Sequence, residues 1–382
     1  MSWESVWPSG VAEGLVAAGL DPERVRAVVR DALAEDLGIG GAVVAMPGAV
    51  PGAAPGHDVT SESTIGADVL GEAHVVARAA GVISGMPLVP VVLAEVAGWL
   101  ESARASVPGA SGASGASGAS SASSASGTGG AGSTVAGDLA ASAGVSAAGS
   151  ASAGGFARHA VSAELLRADG DAVQRDDVLA VLRGPVQVLL IAERTLLNLI
   201  CRTSGISTHT RRWADELEGT GAQVLDTRKT TPGLRMLEKY AVRSGGGTNK
   251  RMGLYDVAMV KDNHKIAAGS VAAAYRAVRS RFPEVTVQVE VTTPDEAVEA
   301  VTAGARFLLC DNMSPAVLAQ SVKLARAAVA EPVELEATGG LTLEVANEYA
   351  RTGVDYLSVG GLTHSSPILD LAIDLQTSLS GG

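Results

Sequence analysis

The densest group of cationic side chains in the sequence follows three consecutive glycines. Within residues 244–264, the glycines at 245–247 precede Lys250 and Arg251, and Lys261 ends the next hydrophobic run. Glycine lets a backbone approach an anion closely and donate N–H groups to it. Lysine and arginine add charge-assisted hydrogen bonds to carboxylates and phosphates. The stretch therefore predicts a binding site for an anionic substrate.

This local excess of positive charge stands out, because the whole chain has a formal net charge of −12. Residues 226–265 carry nine cations against four acids, a surplus of five. The cations are Arg228, Lys229, Arg235, Lys239, Arg243, Lys250, Arg251, Lys261 and Lys265. A solvated charged face would be the plainer interpretation, but the adjacent glycines favour an anion site.

Six short β-rich runs position these cations. They are residues 223–227, 255–261, 285–291, 307–311, 333–337 and 355–360, and helical patterns separate most of them. Strands that alternate with helices indicate parallel βα units. This many units over a short stretch favours a small α/β barrel, of about six to seven parallel strands, over an open sheet.

In such barrels the chemistry lies at the carboxyl ends of the strands. The predicted ends carry Asp226 to Lys229, Lys261 to His264, Glu290, Asp311 and Asn312, Glu336 to Gly340, and Gly360 to His364. Glu290 and Asp311 have the carboxylate oxygens that Mg²⁺ prefers. The glycine pairs at 339–340 and 360–361 match the phosphate position of late barrel strands. The residues predict a site for an acidic substrate, a phosphate group and a divalent metal.

The remaining chain predicts an N-terminal α+β domain. Residues 21–38 have helical spacing, with Asp21 as N-cap and Gly38 as terminator. Residues 71–85 indicate a strand and a turn, and a helical stretch from 192 is expected to break near Gly205. Residues from about 102 to 155 are almost entirely Ser, Gly and Ala, which predicts disorder. The segment could be a linker between two domains, but strand-like and helix-like patterns resume at 158–190, which favours an insertion in one domain. A shorter insertion is expected at 40–56.

The expected organisation is therefore a tail at 1–20, an N-terminal domain at 21–205, a barrel at 206–361 and a segment at 362–382 that returns to the N-terminal domain.

Composition excludes several classes of protein. The acidic balance argues against a general nucleic-acid binder. Cys201 and Cys310 lie far apart in apolar surroundings, which predicts core residues and leaves no zinc spacing. The first ten residues lack a secretory pattern, and charged residues and prolines interrupt the most apolar window, 74–100. We expect a cytoplasmic protein without a membrane span.

Several motifs together resemble the nicotinate-nucleotide pyrophosphorylase family, that is, quinolinate phosphoribosyltransferase. They are DTRKTTPGLRMLEKYAVRSGGGTNKRMGL, VAMVKDNH, VEV, LLCDNMSP, ELEATGG and GVDYLSVGGLTHSSPILDLAIDL. The resemblance runs from about 190 to 375, and continues weakly at 25–38, 57–60 and 71–98. It implies an N-terminal α/β sandwich domain, an incomplete α/β barrel and a homodimer.

The resemblance also implies the reaction. Family members join quinolinate to phosphoribosyl pyrophosphate, release pyrophosphate and CO₂, and form nicotinate mononucleotide for NAD synthesis. By resemblance, Arg228, Arg251 and Lys261 hold the quinolinate carboxylates, with Arg194 reaching in from the neighbouring subunit. Lys229 would face phosphoribosyl pyrophosphate, and Glu290 and Asp311 would bind its Mg²⁺. Thr338, Gly339, Gly360, Gly361 and His364 would cradle the 5′-phosphate.

One position departs from the family pattern. The loop reads Asn249-Lys250-Arg251, where the family has Asn-His-Arg. Lysine keeps a positive charge but lacks the flat ring, so the two are not equivalent. Lys250 is then either a substrate-binding residue in an ordinary enzyme or the mark of a paralogue that uses another acidic heterocycle.

A third alternative is a catalytically silent metabolite-binding protein. Against it, the sequence retains Arg194, Arg228, Lys229, Arg251, Lys261, Glu290 and Asp311 together. Two more polar residues have structural interpretations: His264 is expected to fix a loop, and Glu336 either orients the cations or forms an ion pair.

Overall fold

The computed structural model describes residues 6–39, 54–105 and 161–376. Most of the two predicted insertions, at 40–56 and 102–155, lies outside these residues. The first four residues of the longer segment are an exception, because helix α4 (Leu88–Ala105) continues through them.

The N-terminal domain begins with helices whose ends the sequence predicts well. Helices α1 (Val11–Ala17) and α2 (Pro22–Leu37) come first. The Asp21 side chain accepts hydrogen bonds from two backbone N–H groups of α2, and Gly38 ends the helix in the left-handed conformation. Leu15 of α1 is fully buried, so part of the predicted tail at 1–20 packs in the core.

The elements of the N-terminal sheet are distributed along the chain. Helix α3 (Val59–Thr64) and strands β1 (Leu70–Ala77) and β2 (Gly81–Val82) precede α4, and β3 (Ser162–Leu165), β4 (Ala172–Val173) and β5 (Val178–Pro185) follow. The chain's last strand is β12 (Leu371–Gln376). The main sheet has the order β12-β1-β5-β3 and is antiparallel throughout, and β2 pairs with β4. Strand β12, which follows the barrel in sequence, thus pairs with β1 of the N-terminal sheet.

A single long helix, α5 (Val186–Glu216), connects this domain to the barrel. The break expected near Gly205 is wrong, because α5 is continuous through it. Gly205 instead lets the backbone at Pro367 pack closely against α5, because a Cβ at position 205 would lie 2.0 Å from the Pro367 carbonyl oxygen. The C-terminal segment therefore crosses α5 where the helix has no side chain.

The barrel consists of six parallel strands with helices between most of them. The strands are β6 (Gln223–Leu225), β7 (Val257–Val260), β8 (Thr286–Val291), β9 (Phe307–Asp311), β10 (Glu334–Thr338) and β11 (Tyr356–Ser358). The helices are α6 (Arg235–Ser244), α7 (Asp262–Ala268), α8 (Val271–Arg281), α9 (Pro294–Thr302), α10 (Pro315–Ala328), α11 (Leu343–Ala350) and α12 (Gly361–His364). All six predicted strands are confirmed to within a few residues.

The strand order is β6-β11-β10-β9-β8-β7. Within the described residues β6 and β7 do not pair, and the loop residue Thr248 forms a parallel bridge to Leu225 at the β6 edge. The sheet is therefore an incomplete barrel, which confirms the predicted fold class.

Alternation along the strands separates the barrel's apolar layer from its polar interior. Val289 of β8, Cys310 of β9 and Leu335 of β10 belong to the apolar cluster under the helices. Their neighbours Glu290 and Glu336 must then face the interior, because successive side chains in a strand point to opposite faces. Cys310 and Cys201 are both buried in apolar clusters, as predicted.

Candidate active site

A buried polar network lies in the interior of the barrel. Lys250 Nζ lies 2.5 Å from Glu336 Oε1, and Gln288 Nε2 donates to Glu336 Oε2 at 2.6 Å. Glu336 is fully buried, and only 10% of the Lys250 side chain is exposed. Burial lowers the pKa of Lys250, although the attraction of Glu336 opposes that shift. Lys250 is thus paired within the protein, and this ion pair agrees with both interpretations of Glu336, because it also orients a cationic side chain.

A second buried cluster fixes the backbone of the glycine-rich loop. Asp226 accepts hydrogen bonds from Lys239 Nζ, from Asn249 Nδ2 at 2.6 Å and from the Lys250 N–H at 2.8 Å. Lys239 Nζ also donates to the Lys250 carbonyl at 2.9 Å. These bonds hold the loop to the end of β6 and to α6, so the side chains of Lys250 and Arg251 project from a fixed backbone.

The cations predicted to hold the substrate carboxylates lie close together. Arg251 donates to the Val257 carbonyl at 2.8 Å. Partial burial, and then the positive charge of Arg228, lower the pKa of Arg251. Arg228 is half-buried, and its Nε is a buried donor without a hydrogen-bond partner in the described part of the chain. A group of mutually repelling cations with an unsatisfied donor fits an anionic ligand.

Lys261 lies between this group and the predicted metal ligands. Its side chain is half exposed, and its Nζ lies 3.4 Å from Glu290 Oε2. Glu290 also accepts from the Asp262 N–H at 3.3 Å. His264 Nδ1 accepts from the Lys261 N–H at 2.9 Å, which confirms the expected loop-fixing role of His264.

Glu290 and Asp311, the residues predicted to bind magnesium, lie on adjacent strands of the barrel. Glu290 is the penultimate residue of β8 and Asp311 is the last residue of β9, and the register of these neighbouring strands pairs Glu290 with Leu309. No group of three or more His, Cys, Asp or Glu suited to a metal occurs among the described residues. Mg²⁺ is commonly held by only one or two carboxylates together with substrate phosphates and water. The donor set is therefore sufficient for a metal that arrives with its substrate.

The predicted phosphate residues divide into two groups. Lys229 and His364 meet at Gly360, where a Cβ would lie 2.9 Å from Lys229 Cδ and 3.3 Å from His364 Nε2. Gly361 begins helix α12 beside them. Gly360 therefore permits a cation and an imidazole to approach the same backbone.

The second group is the loop after β10. Thr338 ends β10, and its carbonyl accepts from the Asn312 N–H at 2.9 Å. Gly339 has φ +96° and packs against Asn312, so a side chain there would collide with the backbone. The close packing against Asn312 is by itself enough to require glycine at position 339, and contact of Gly339 with phosphate stays a prediction.

Arg194 is separate from these residues. It is exposed on α5 and makes no hydrogen bond or ion pair with the described part of its own chain.

Sequence reasoning missed the supporting role of Gln288. It precedes Glu290 by two positions, so strand periodicity could have placed it in the interior. Lys239 was counted among the cations of the loop region, but no local pattern marks its bonds to Asp226 and to the Lys250 carbonyl.

The described residues contain no helix long and apolar enough to cross a membrane.

Two family models match the chain. "Quinolinate phosphoribosyl transferase, C-terminal domain" matches residues 206–374, and the corresponding N-terminal domain matches residues 124–204. The nicotinate-nucleotide pyrophosphorylase [carboxylating] of Mycobacterium leprae is 49% identical over 207 residues, which are 54% of this chain and 72% of the relative. The probable enzyme of that name from Bacillus subtilis is 45% identical over 219 residues, 57% of this chain and 74% of the relative.

A solved structure agrees with these sequence matches. The crystal structure of NadC from Streptococcus pyogenes superposes with a TM-score of 0.68 at 27% identity, covering 94% of this chain and 98% of that one.

Proposed function

The chain belongs to the quinolinate phosphoribosyl transferase family, and we propose that its barrel site transfers phosphoribose from phosphoribosyl pyrophosphate to quinolinate. The products are nicotinate mononucleotide, pyrophosphate and CO₂, and the reaction serves NAD biosynthesis. The observation that carries the proposal is the group of Arg228, Arg251 and Lys261, in which Arg228 repels Arg251 and Lys261 lies beside the acidic Glu290. The two carboxylates of a pyridine dicarboxylate would supply the negative charge that balances these cations.

The first chemical step needs positioning more than proton transfer. The pyridine nitrogen already has a lone pair, so no general base has to create the nucleophile. Arg228 and Arg251 can bind carboxylates bidentately and orient the ring for attack on the sugar carbon. As the bond to pyrophosphate breaks, that carbon becomes oxocarbenium-like, and a fixed carboxylate such as Glu290 stabilises it.

The second step follows from the charge created by the first. After the new C–N bond forms, the ring nitrogen is cationic. The carboxylate on the adjacent carbon can leave as CO₂, and the electron pair left on the ring carbon is stabilised by that cation and by the nearby Lys261. The carbon then takes up a proton.

We propose that Lys250 preserves the acceptor rather than changing it. Its ammonium group is paired with Glu336 at 2.5 Å, so the pair contributes no net charge to the pocket. The positive charge offered to the acceptor still comes from Arg228, Arg251 and Lys261. This arrangement supports quinolinate over another acidic heterocycle, which becomes an outcome of the assay.

The direct test combines the protein with Mg²⁺, phosphoribosyl pyrophosphate and quinolinate, and follows CO₂ and nicotinate mononucleotide by mass spectrometry. Nicotinate, which lacks the second carboxylate, is the matched control acceptor. We expect turnover with quinolinate and not with nicotinate. A folded protein that turns over neither compound would direct the search to other acidic heterocycles, and binding without turnover would favour the silent binder.

We propose that Mg²⁺ is held by Glu290 and Asp311 together with the phosphates of phosphoribosyl pyrophosphate. When bound, the ion neutralises charge that develops on the departing pyrophosphate. Support comes from the two carboxylates at neighbouring strand ends, a donor set that this ion commonly uses.

The variant Glu290→Gln tests this carboxylate. Removing one preorganised electrostatic group costs about 10²- to 10³-fold in kcat, and we expect a loss in that range. The Mg²⁺ concentration for half-maximal rate should rise as well. The exposed Glu284 offers a control, because Glu284→Gln should retain activity within about twofold. Unchanged kcat in Glu290→Gln would contradict the assignment.

We propose that the protein works as a homodimer in which Arg194 completes the partner's site. Its guanidinium is exposed and makes no hydrogen bond with the described part of its own chain. A mixture of Arg194→Ala and Lys261→Ala protomers should then regain activity, because about a quarter of randomly formed sites contain both intact residues. No recovery under conditions where fluorescence shows subunit exchange would count against a shared site.

The cytoplasmic location expected from the sequence stays a prediction.

A further inference from the structure

One arginine that the proposed mechanism does not use makes an unusual number of contacts. Arg202, near the middle of α5, donates from Nη1 to the Ser366 carbonyl at 3.1 Å and from Nη2 to the Thr363 carbonyl. Its Nε and Nη2 also donate to Glu238 Oε1, at 3.3 and 2.9 Å. One guanidinium therefore connects α5, α6 and the segment that follows β11.

Glu238 extends this connection to the acceptor side of the site. Its side chain is 1% exposed. Oε2 accepts from the Thr231 N–H at 3.0 Å, and Oε1 accepts from Thr231 Oγ1 at 2.7 Å. Thr231 closes the loop that carries Arg228 and Lys229. The buried carboxylate thus fixes the end of that loop while it binds Arg202.

The two loops are also joined directly. Thr363 Oγ1 donates to the Lys229 carbonyl at 2.8 Å. The backbone of Thr363 is held by Arg202, so the position of Lys229 depends on Arg202 by two routes. One runs through Thr363, and the other runs through Glu238 and Thr231.

We propose that Arg202 is a positioning residue that holds two substrate loops at a fixed separation. The acceptor loop is residues 226–231, and the phosphate loop is residues 360–366. The inference rests on the proposed function, because the loops matter only if one binds quinolinate and the other the phosphoribosyl group. Both substrates must be fixed relative to each other for in-line attack, and small displacements of reacting groups cost large factors in rate.

A purely structural tie between α5 and the C-terminal segment is the competing explanation, and it predicts a different result. Loss of such a tie would lower the melting temperature and leave the kinetics of the folded fraction unchanged. Loss of a positioning contact would lower kcat/KM for phosphoribosyl pyrophosphate in protein that remains folded.

Two variants separate the explanations. Arg202→Gln removes the positive charge and most of the hydrogen-bond donors. Arg202→Lys keeps the positive charge facing Glu238, but it loses the planar guanidinium that also donates to two backbone carbonyls. We expect kcat/KM for phosphoribosyl pyrophosphate to fall about 30- to 100-fold in Arg202→Gln, a change equivalent to a small misplacement. Arg202→Lys should fold normally and recover only part of this loss.

Two controls complete the experiment. Arg212→Gln removes an exposed arginine from the same helix and should stay within about twofold of the original activity. Glu238→Gln should lower kcat/KM similarly, and the double variant with Arg202→Gln should be much less than additive, since the two residues act as one unit.

The outcomes are distinct. Original protein that fails to turn over quinolinate overturns the proposed function and this inference with it. The inference alone is overturned by a different result. In that case the original protein is active, and Arg202→Lys and Arg202→Gln both keep kcat/KM within twofold of the original when assayed below their melting temperatures.

Discussion

Replacement of Arg228 by alanine is expected to raise the KM for quinolinate by about 30- to 1,000-fold. The guanidinium is half-buried, and its Nε is an unsatisfied donor in the described structure. A carboxylate placed there would satisfy the donor and form a partly desolvated charge pair. Truncation of one partner in such a pair costs about 2–4 kcal/mol, which corresponds to the stated factor in affinity.

The same substitution should not destabilise the free protein. The positive charge of Arg228 acts on Arg251 and helps to lower the pKa of that residue. Removing Arg228 relieves this repulsion, so the melting temperature without ligand should stay constant or rise. Gain of stability with loss of function is the pattern expected where residues are arranged for a ligand.

Steady-state kinetics and thermal melts with and without quinolinate measure both effects. Arg276→Ala, which removes an exposed arginine of α8, is the matched control and should change neither quantity. Arg228→Lys should recover only part of the affinity, because an ammonium group lacks the bidentate geometry. A KM within threefold of the original in Arg228→Ala would remove Arg228 from the acceptor site.

The sequence predicts the barrel strands well because their signals are local. The run FLLCD is the whole of β9, and its end places Asp311 at the carboxyl edge without any tertiary information. Asp21 and Gly38 bound α2 for the same reason, since caps act within one helical turn.

The failures involve contacts between distant segments. Gly205 resembles a helix breaker in sequence, but its place in α5 is set by Pro367, more than 150 residues away. Lys250 adjoins Arg251 in the loop, and no sequence pattern shows that it pairs with Glu336 of β10; its contact with substrate stays a prediction. Lys250 and Arg251 share a loop because they are adjacent in sequence, but the strand order decides which side chain each of them contacts.

Replacement of Lys250 by methionine is expected to lower the free energy of unfolding by about 3–5 kcal/mol, the usual cost of removing one partner from a buried ion pair. Glu336 is fully buried, and without Lys250 its charge would keep only one hydrogen-bond partner among the described residues, the amide of Gln288. The loss should appear in urea denaturation as a lower midpoint with an unchanged slope.

The matched control is the double variant Lys250→Met with Glu336→Gln. It removes the charge along with its partner and leaves an amide oxygen that can accept from Gln288 Nε2, so most of the stability should return. If the single variant were as stable as the original, Lys250 would be free of Glu336 in solution, and its ammonium group would again be available to a substrate.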